Sequence, residues 1–411
     1  MPETRLFAAG TVMPVAAPPI RDGAVLVQNG RISAVGPFTD LRRDKPEAEV
    51  RSFTGSTIIP GAVNAHAHLG FRRKDAPPGG TFSGWLTKLI ERLPEKEGWT
   101  AEAARDSARE ALEAGTTCMA ESSPYGECLP QLAESGMAGT VHAEFFPGDY
   151  DGAEPEEIVA EIIAQVEGMN EGLPGRVHAR LSVHSPYTVD PESARLAARR
   201  TREMGWTLAY HLSESPEEIE FVRSGTGGLA DIFGRNEWGG VGVSPVRFAE
   251  EIELLAPETI AAHLATGVGD EEVEILARTG VAAAHCPRSN ENLGCGVSPA
   301  PEMMRSGVRV GMGTDGLWSS PSMNLFEETM AAVRLHGFDG PTALRLATLE
   351  GARVMDLGHE TGSLEPGKWA DLAVIEDISG GPELAVVEAA ADGGVAATVA
   401  GGDVIYNRAE A

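Results

Sequence analysis

From residue 57 to about residue 320, short apolar runs of strand length alternate with stretches of helical periodicity. The runs fall at residues 57–63, 116–120, 139–145, 180–184, 207–211, 259–263, 281–285 and 309–315. Helical stretches such as 101–114, 191–204, 271–279 and 301–306 lie between them. Eight strand–helix units predict an α/β fold, a (β/α)8 TIM barrel.

The two ends of the chain read differently. In residues 24–35, Val25, Val27, Ile32 and Val35 alternate with polar or small positions around Asn29-Gly30, a hairpin signal. The segments 369–375 and 395–405 are also strand-rich, and Pro366-Gly367 makes a turn into the first of them. Both ends are therefore expected to pair into a small β-sandwich domain, residues 1–58 and 354–411, flanking a barrel of residues 59–353. Two connections are long. Residues 69–99 contain Gly79-Gly80 and an apolar cluster of Phe82, Trp85 and Leu86, the pattern of a lid. Residues 215–258 carry helical stretches at 217–224 and 245–255.

Nearly every predicted strand ends in a polar or ionisable residue: His66 and His68, Glu121, Glu144, His184, His211 with Glu214, His263, His285, and Asp315. In barrels of this kind the active site lies at that end. His66 and His68 are two apart, so on a strand both imidazoles point the same way. Taken alone, the pair is weak evidence for a metal and reads more readily as two polar strand-end residues. With His211 and Asp315 it makes a three-histidine, one-carboxylate set suited to one divalent metal, zinc first, with Fe2+ or Mn2+ also fitting.

Composition narrows the setting. The apolar fraction of 42% is that of a globular chain. No apolar run reaches the ~18 residues of a membrane span. The start, Met1 to Arg5, lacks a basic region followed by a long apolar stretch, so no signal peptide is expected. Cys118, Cys128, Cys286 and Cys295 show no CxxC spacing, which favours reduced thiols and a cytoplasmic protein. A net charge of −28 argues against binding nucleic acid through a basic surface. Only five of the 33 basic residues are lysine, which fits a salt-adapted host and a GC-rich genome equally well.

The landmarks run in order: Pro60-Gly61-Ala62-Val63-Asn64-Ala65-His66-Ala67-His68-Leu69, His184-Ser185-Pro186-Tyr187-Thr188, His211-Leu212-Ser213-Glu214, His263, His285-Cys286-Pro287-Arg288-Ser289-Asn290 and Gly313-Thr314-Asp315. Over essentially the whole chain they resemble the deaminase branch of the amidohydrolase superfamily. The resemblance assigns His66, His68, His211 and Asp315 to one metal. Zinc would bring the pKa of a bound water toward ~7. Glu214 would transfer a proton to the substrate ring, His263 would orient the water, and Asp315 would carry its proton to the leaving amine. For Glu214 the competing reading is a carboxylate capping a helix at 216–221. Binuclear relatives carry a carboxylated lysine after the fourth strand; His184 stands there, so one metal is expected. A separate zinc-deaminase family uses H-x-E with P-C-x-x-C, and the chain has no such motif.

Phe82-x-x-Trp85, Glu144, the His211/Glu214 pair, Ser244-Pro245-Val246-Arg247 and Cys286 to Asn290 most resemble aminodeoxyfutalosine deaminases of the futalosine route to menaquinone. Trp85, Glu144, His184, Arg288, Ser289 and Asn290 are the substrate-binding residues this implies. A benzoate on the substrate would need a cation, because a buried unpaired charge is costly. Arg288 is the first choice and Arg72 and Arg73 the alternatives, with a salt bridge to a neighbouring loop the competing reading for Arg288. The run after His263, Leu264-Ala265-Thr266-Gly267, departs from relatives that carry a larger polar or aromatic residue there. Adenosine, methylthioadenosine and S-adenosylhomocysteine are the nearby alternative substrates. s-Triazine or guanine hydrolysis, and a non-catalytic scaffold, are more distant ones. The expected partner is a small nucleoside-like molecule, with no nucleic acid and no membrane; a homo-oligomer is left open.

Overall fold

The computed structural model describes residues 4–410 except 78, 79, 97, 151 and 235–237. Gly79 of the expected lid and Met1 to Glu3 lie outside the described residues. The barrel strands Ala62–His68, Thr116–Pro124, Ala138–Glu144, Val177–Ser182, Leu208–Leu212, Thr259–His263, Ala282–His285 and Arg309–Met312 are neighbours in chain order. All of these pairs are parallel. The last strand is broken at Gly313-Thr314, and its continuation, Asp315–Gly316, pairs with Ala62–His68. One chain segment thus touches the seventh strand with its first half and the first strand with its second half, which closes the barrel. The break is held by Asn64, whose amide donates to Thr314 Oγ1 at 2.8 Å and accepts from Thr314 N at 3.2 Å. Glycine is required at 313, because a Cβ there would lie 2.9 Å from the Cβ of His66.

The expected first barrel strand, 57–63, is corrected. Residues Glu49–Pro60 belong to the terminal sheet, and the barrel strand begins at Ala62. The apolar run is continuous because it serves two sheets in succession. The fourth strand also ends earlier than expected, at Ser182, so His184 stands just beyond it.

The ends of the chain form one continuous seven-stranded sheet, ordered Asp403–Asn407, Val395–Ala400, Leu372–Ile375, Glu49–Pro60, Thr4–Val12, Ile20–Gln28, Arg31–Pro37. Thr4–Val12 and Glu49–Pro60 run parallel and the other pairs antiparallel. Asn29 and Gly30 have φ of 53° and 77°, the paired left-handed residues of a two-residue hairpin turn. Alternation along the strands gives two apolar faces. Phe7, Val25 and Val27 pack on one, and Leu6, Ala8 and Leu26 on the other, under the helix Phe38–Asp44.

Asp371 ties sheet to barrel. Its buried carboxylate accepts from Arg176 Nη2 at 2.6 Å, Gly401 N at 2.8 Å and Thr361 Oγ1 at 2.9 Å, and its carbonyl accepts from Gly61 N at 3.0 Å. Asp371→Ala strips a half-buried arginine and two further donors of their acceptor. It is expected to cost about 3 kcal/mol in urea denaturation. A loss below about 1 kcal/mol would show the anchor to be dispensable.

The segment expected to be a lid holds the helix Phe82–Lys96. Phe82, Trp85, Leu86, Leu89, Ile90 and Leu93 recur at helical spacing and line the cavity at the mouth of the barrel. No helix among the described residues is long and apolar enough to cross a membrane.

Candidate active site

A cavity of about 500 Å3 opens at the C-terminal end of the barrel strands, with His68, Glu144, His184, His211, Glu214, His263 and Asp315 in its wall. Five non-glycine residues at the barrel strand ends have left-handed φ: Tyr125 at 51°, Ser213 at 52°, His263 at 72°, Leu264 at 45° and Asp315 at 59°. Such backbone is uncommon and costs energy, and it concentrates here where strands turn into loops.

Hydrogen bonding sets the tautomers at the cavity floor. His68 Nδ1 lies 2.6 Å from the Ser122 carbonyl oxygen, and His211 Nδ1 lies 2.9 Å from that of His184. A carbonyl only accepts, so each Nδ1 carries the proton and each Nε2 presents a lone pair. These two Nε2 atoms face each other at 3.2 Å. His66 Nε2 is buried without a hydrogen-bond partner. It is 3.7 Å from Asp315 Oδ1, and His68 Nε2 is 3.4 Å from the same oxygen. The other carboxylate oxygen, Oδ2, accepts from Ser289 and Ser319, both at 2.6 Å.

Burial drives His66 and His211 below the ordinary histidine range, and His68 down to about 3. Burial works against ionising Asp315, but the surrounding imidazoles of His66, His263 and His68 hold its carboxyl well below its ordinary value. Imidazole lone pairs and a carboxylate oxygen that meet with no proton between them repel one another unless a cation joins them. The residues expected as ligands fit one divalent metal, with donors of the type zinc prefers.

Glu214 follows His211 through Ser213 and is buried at 5% exposure. Burial pushes its carboxyl up to about 7, and His263 opposes the rise. Its Oε1 is 3.6 Å from His263 Nε2. His263 Nδ1 is 3.0 Å from Asn290 Oδ1, which leaves Nε2 facing Glu214 and the cavity. Glu214 does not cap the following helix. Ser215 does, accepting from Glu218 N at 3.2 Å.

Trp85, Glu144 and His184 line the cavity. Trp85 Nε1 donates to the Trp318 carbonyl at 3.3 Å. His184 Nδ1 is held by Thr188 Oγ1 at 2.8 Å and Ser185 Oγ at 3.0 Å. Glu144 is buried with Oε1 unpartnered, and burial raises its carboxyl to about 8.

Arg288, Ser289 and Asn290 are corrected as cavity residues, since none of them lines it. They share the short helix Pro287–Asn292, where successive side chains are turned about 100° from one another. Ser289 and Asn290 face inward and hold Asp315 and His263. Arg288 is turned to the barrel flank, where it meets Glu327, Ser322 Oγ at 3.1 Å and Glu328 at 3.7 Å. The alternatives are committed elsewhere too. Arg72 pairs with Asp75 at 2.8 Å and lies 4.0 Å from the centre of the Trp99 ring, and Arg73 holds Glu110 at 2.6 and 2.8 Å. His285 is paired with His336, Nε2 to Nε2 at 3.2 Å, outside the cavity wall.

Sequence reading missed Phe146, Asp149, Phe233 and Trp318 in the wall, and the supports Ser319 and Glu218. Their signal is weak: each support stands four residues after the group it holds, a spacing with many ordinary uses.

A family model described as "Amidohydrolase family" matches residues 57–405, and one described as "Imidazolonepropionase-like composite domain, bacteria" matches residues 23–44. The chain is 32% identical over 386 residues to a 5'-deoxyadenosine deaminase of Methanopyrus kandleri, covering 88% of this chain and 82% of that one. It is 30% identical to a 5-methylthioadenosine/S-adenosylhomocysteine deaminase of Symbiobacterium thermophilum, covering 98% and 94%. An adenosine deaminase from Xanthomonas campestris with bound zinc superposes with a TM-score of 0.82 at 25% identity, covering 97% and 92%. The fold is also that of Helicobacter pylori aminofutalosine deaminase, with a TM-score of 0.85 at 22% identity over 97% and 99% of the two chains. The chain belongs to the amidohydrolase family.

Proposed function

We propose that this chain is a zinc-dependent hydrolase that deaminates adenine nucleosides, adding water at C6 of the base and releasing ammonia. The convergence of the His66, His68 and His211 Nε2 atoms and Asp315 Oδ1 beside Glu214 carries this reading. The names of the 5'-deoxyadenosine, methylthioadenosine and adenosine deaminases similar to it supply the substrate class. Those four side chains would hold the metal, which supplies Lewis-acid activation of water near neutral pH. Glu214 delivers a proton to the ring nitrogen as C6 becomes tetrahedral. His263, its tautomer set by Asn290, orients the attacking water through Nε2. Asp315, steadied by Ser289 and Ser319, takes the water's proton and passes it to the departing amine. Glu144 and His184 meet the nucleoside, and Trp85 packs over it.

The wall favours a substrate whose 5' substituent is neutral and apolar. Phe82, Leu86, Leu89, Ile90, Leu93, Phe146 and Phe233 supply apolar surface, and among the described residues no lysine or arginine lines the cavity. Arg288, the first choice to meet the benzoate of aminodeoxyfutalosine, is instead paired on the barrel flank. A carboxylate brought into this cavity would stay unpaired beside Asp149 and Glu144. Ammonia release from 5'-deoxyadenosine, 5'-methylthioadenosine, adenosine, S-adenosylhomocysteine and aminodeoxyfutalosine tests both levels. The expected kcat/KM for 5'-methylthioadenosine exceeds that for either carboxylate-bearing compound at least ~10-fold, the scale of one unpaired polar contact. Comparable values would overturn the neutral-substituent reading. No ammonia from any of the five would overturn the deaminase reading.

A further inference from the structure

We propose that Glu218, a residue outside the cavity wall, is a positioning residue that aims Glu214; this rests on the proton-transfer role proposed for Glu214. Glu218 is fully buried. Its Oε1 accepts from Ser213 N and its Oε2 from Glu214 N, both at 2.8 Å. It stands third in the helix Pro216–Ser224, whose N-cap is Ser215. A glutamate there ordinarily reaches back to the backbone N–H of the cap residue. Glu218 reaches beyond the cap residue and grips the two residues before it as well. One of them, Ser213, has a φ of 52°, which a serine rarely adopts unless its surroundings hold it there.

The arrangement is more than a helix start needs. Ser215 already caps the helix through its side chain. A carboxylate taken out of water is costly, and among the described residues no basic side chain forms an ion pair with Glu218 to offset that cost. What its two oxygens secure is the turn that carries the chain from His211, on the strand Leu208–Leu212, to Glu214. With both backbone N–H groups held, Glu214 is presented in one orientation beside His263. Without them, the turn keeps the hydrogen bonds that Ala265 N and Thr266 N donate to the Ser213 carbonyl but loses those that fix its own N–H groups, and Glu214 moves relative to the substrate ring.

The experiment is a double-mutant cycle in the zinc-loaded enzyme, with deamination of 5'-methylthioadenosine or adenosine as the readout. Glu218→Gln keeps the shape but turns an amide N–H2 toward one of the two donors. It is expected to lower kcat about 10-fold, and Glu218→Ala about 100-fold, the scale of a misplacement near 1 Å. KM stays within about threefold and zinc content is unchanged. In the Glu214→Gln background, Glu218→Gln is expected to cost no more than about twofold, because the group it aims is gone. The same ~10-fold loss in both backgrounds would overturn the proposal, as would a wild-type kcat in folded Glu218→Gln or a loss of activity matched by a loss of zinc. Glu214→Gln with wild-type kcat would instead overturn the role of Glu214 itself, and the proposal with it.

Discussion

Glu214→Gln is expected to keep its metal and to lower kcat by about 10^2- to 10^4-fold, the usual worth of a positioned general acid–base. The substitution conserves volume in a buried site and leaves all four proposed ligands in place. It removes the one carboxyl group that is pushed up to about 7 by burial and also stands 3.6 Å from His263. A group near neutrality holds and releases its proton with little penalty at physiological pH, which the ring nitrogen requires as it gains electron density. An amide cannot exchange that proton. Steady-state kinetics together with metal analysis check the result. A kcat within about threefold of wild type, with metal retained, would move the proton-transfer role to another residue.

His211→Ala is expected to abolish measurable turnover and metal retention together, and chelation of the wild-type enzyme to do the same reversibly. His211 and His68 present lone pairs to each other at 3.2 Å, and the hydrogen bonds of both Nδ1 atoms prevent either ring from offering a proton. A cation therefore stabilises the folded site and finds no such site in the unfolded chain. At a free concentration of 100 Kd that linkage is worth about 2.7 kcal/mol, so the wild-type enzyme stripped of metal should also unfold at lower temperature. Zinc added back is expected to restore activity and Tm to the wild-type protein and neither to His211→Ala. Full activity after metal removal, verified by elemental analysis, would sink the metal-dependent reading.

Much of the site was legible because its signals are local. His66 and His68 share one strand face by period, and Glu214 follows His211 at a spacing that the turn at Ser213 converts into proximity. The strand rhythm placed His66, His211, His263 and Asp315 at one end of a barrel before any distance was known. The errors share a cause. Arg288, Ser289 and Asn290 are consecutive, yet the helix Pro287–Asn292 turns two of them to the site and one to Glu327. Residues 57–63 read as one strand because apolarity reports burial and not which sheet provides it. The cavity wall was hardest to foresee. Phe82, Phe146 and Phe233 come from three separate connections, and loop packing leaves no period to follow.

The sequence by itself determined the barrel, the pairing of the two chain ends and the identity of the metal-type donors. Each is written in short-range periodicity or in residue type at the end of a strand. Only the tertiary structure decided which nitrogen of His68 and of His211 faces the other donors, because the partners, the Ser122 and His184 carbonyls, come from neighbouring strand–loop segments. It also decided that Ser289, Ser319, Asn290 and Glu218 serve as supports and that Arg288 faces away. Those roles depend on orientation and on contacts between distant segments, and neither is encoded in spacing along the chain.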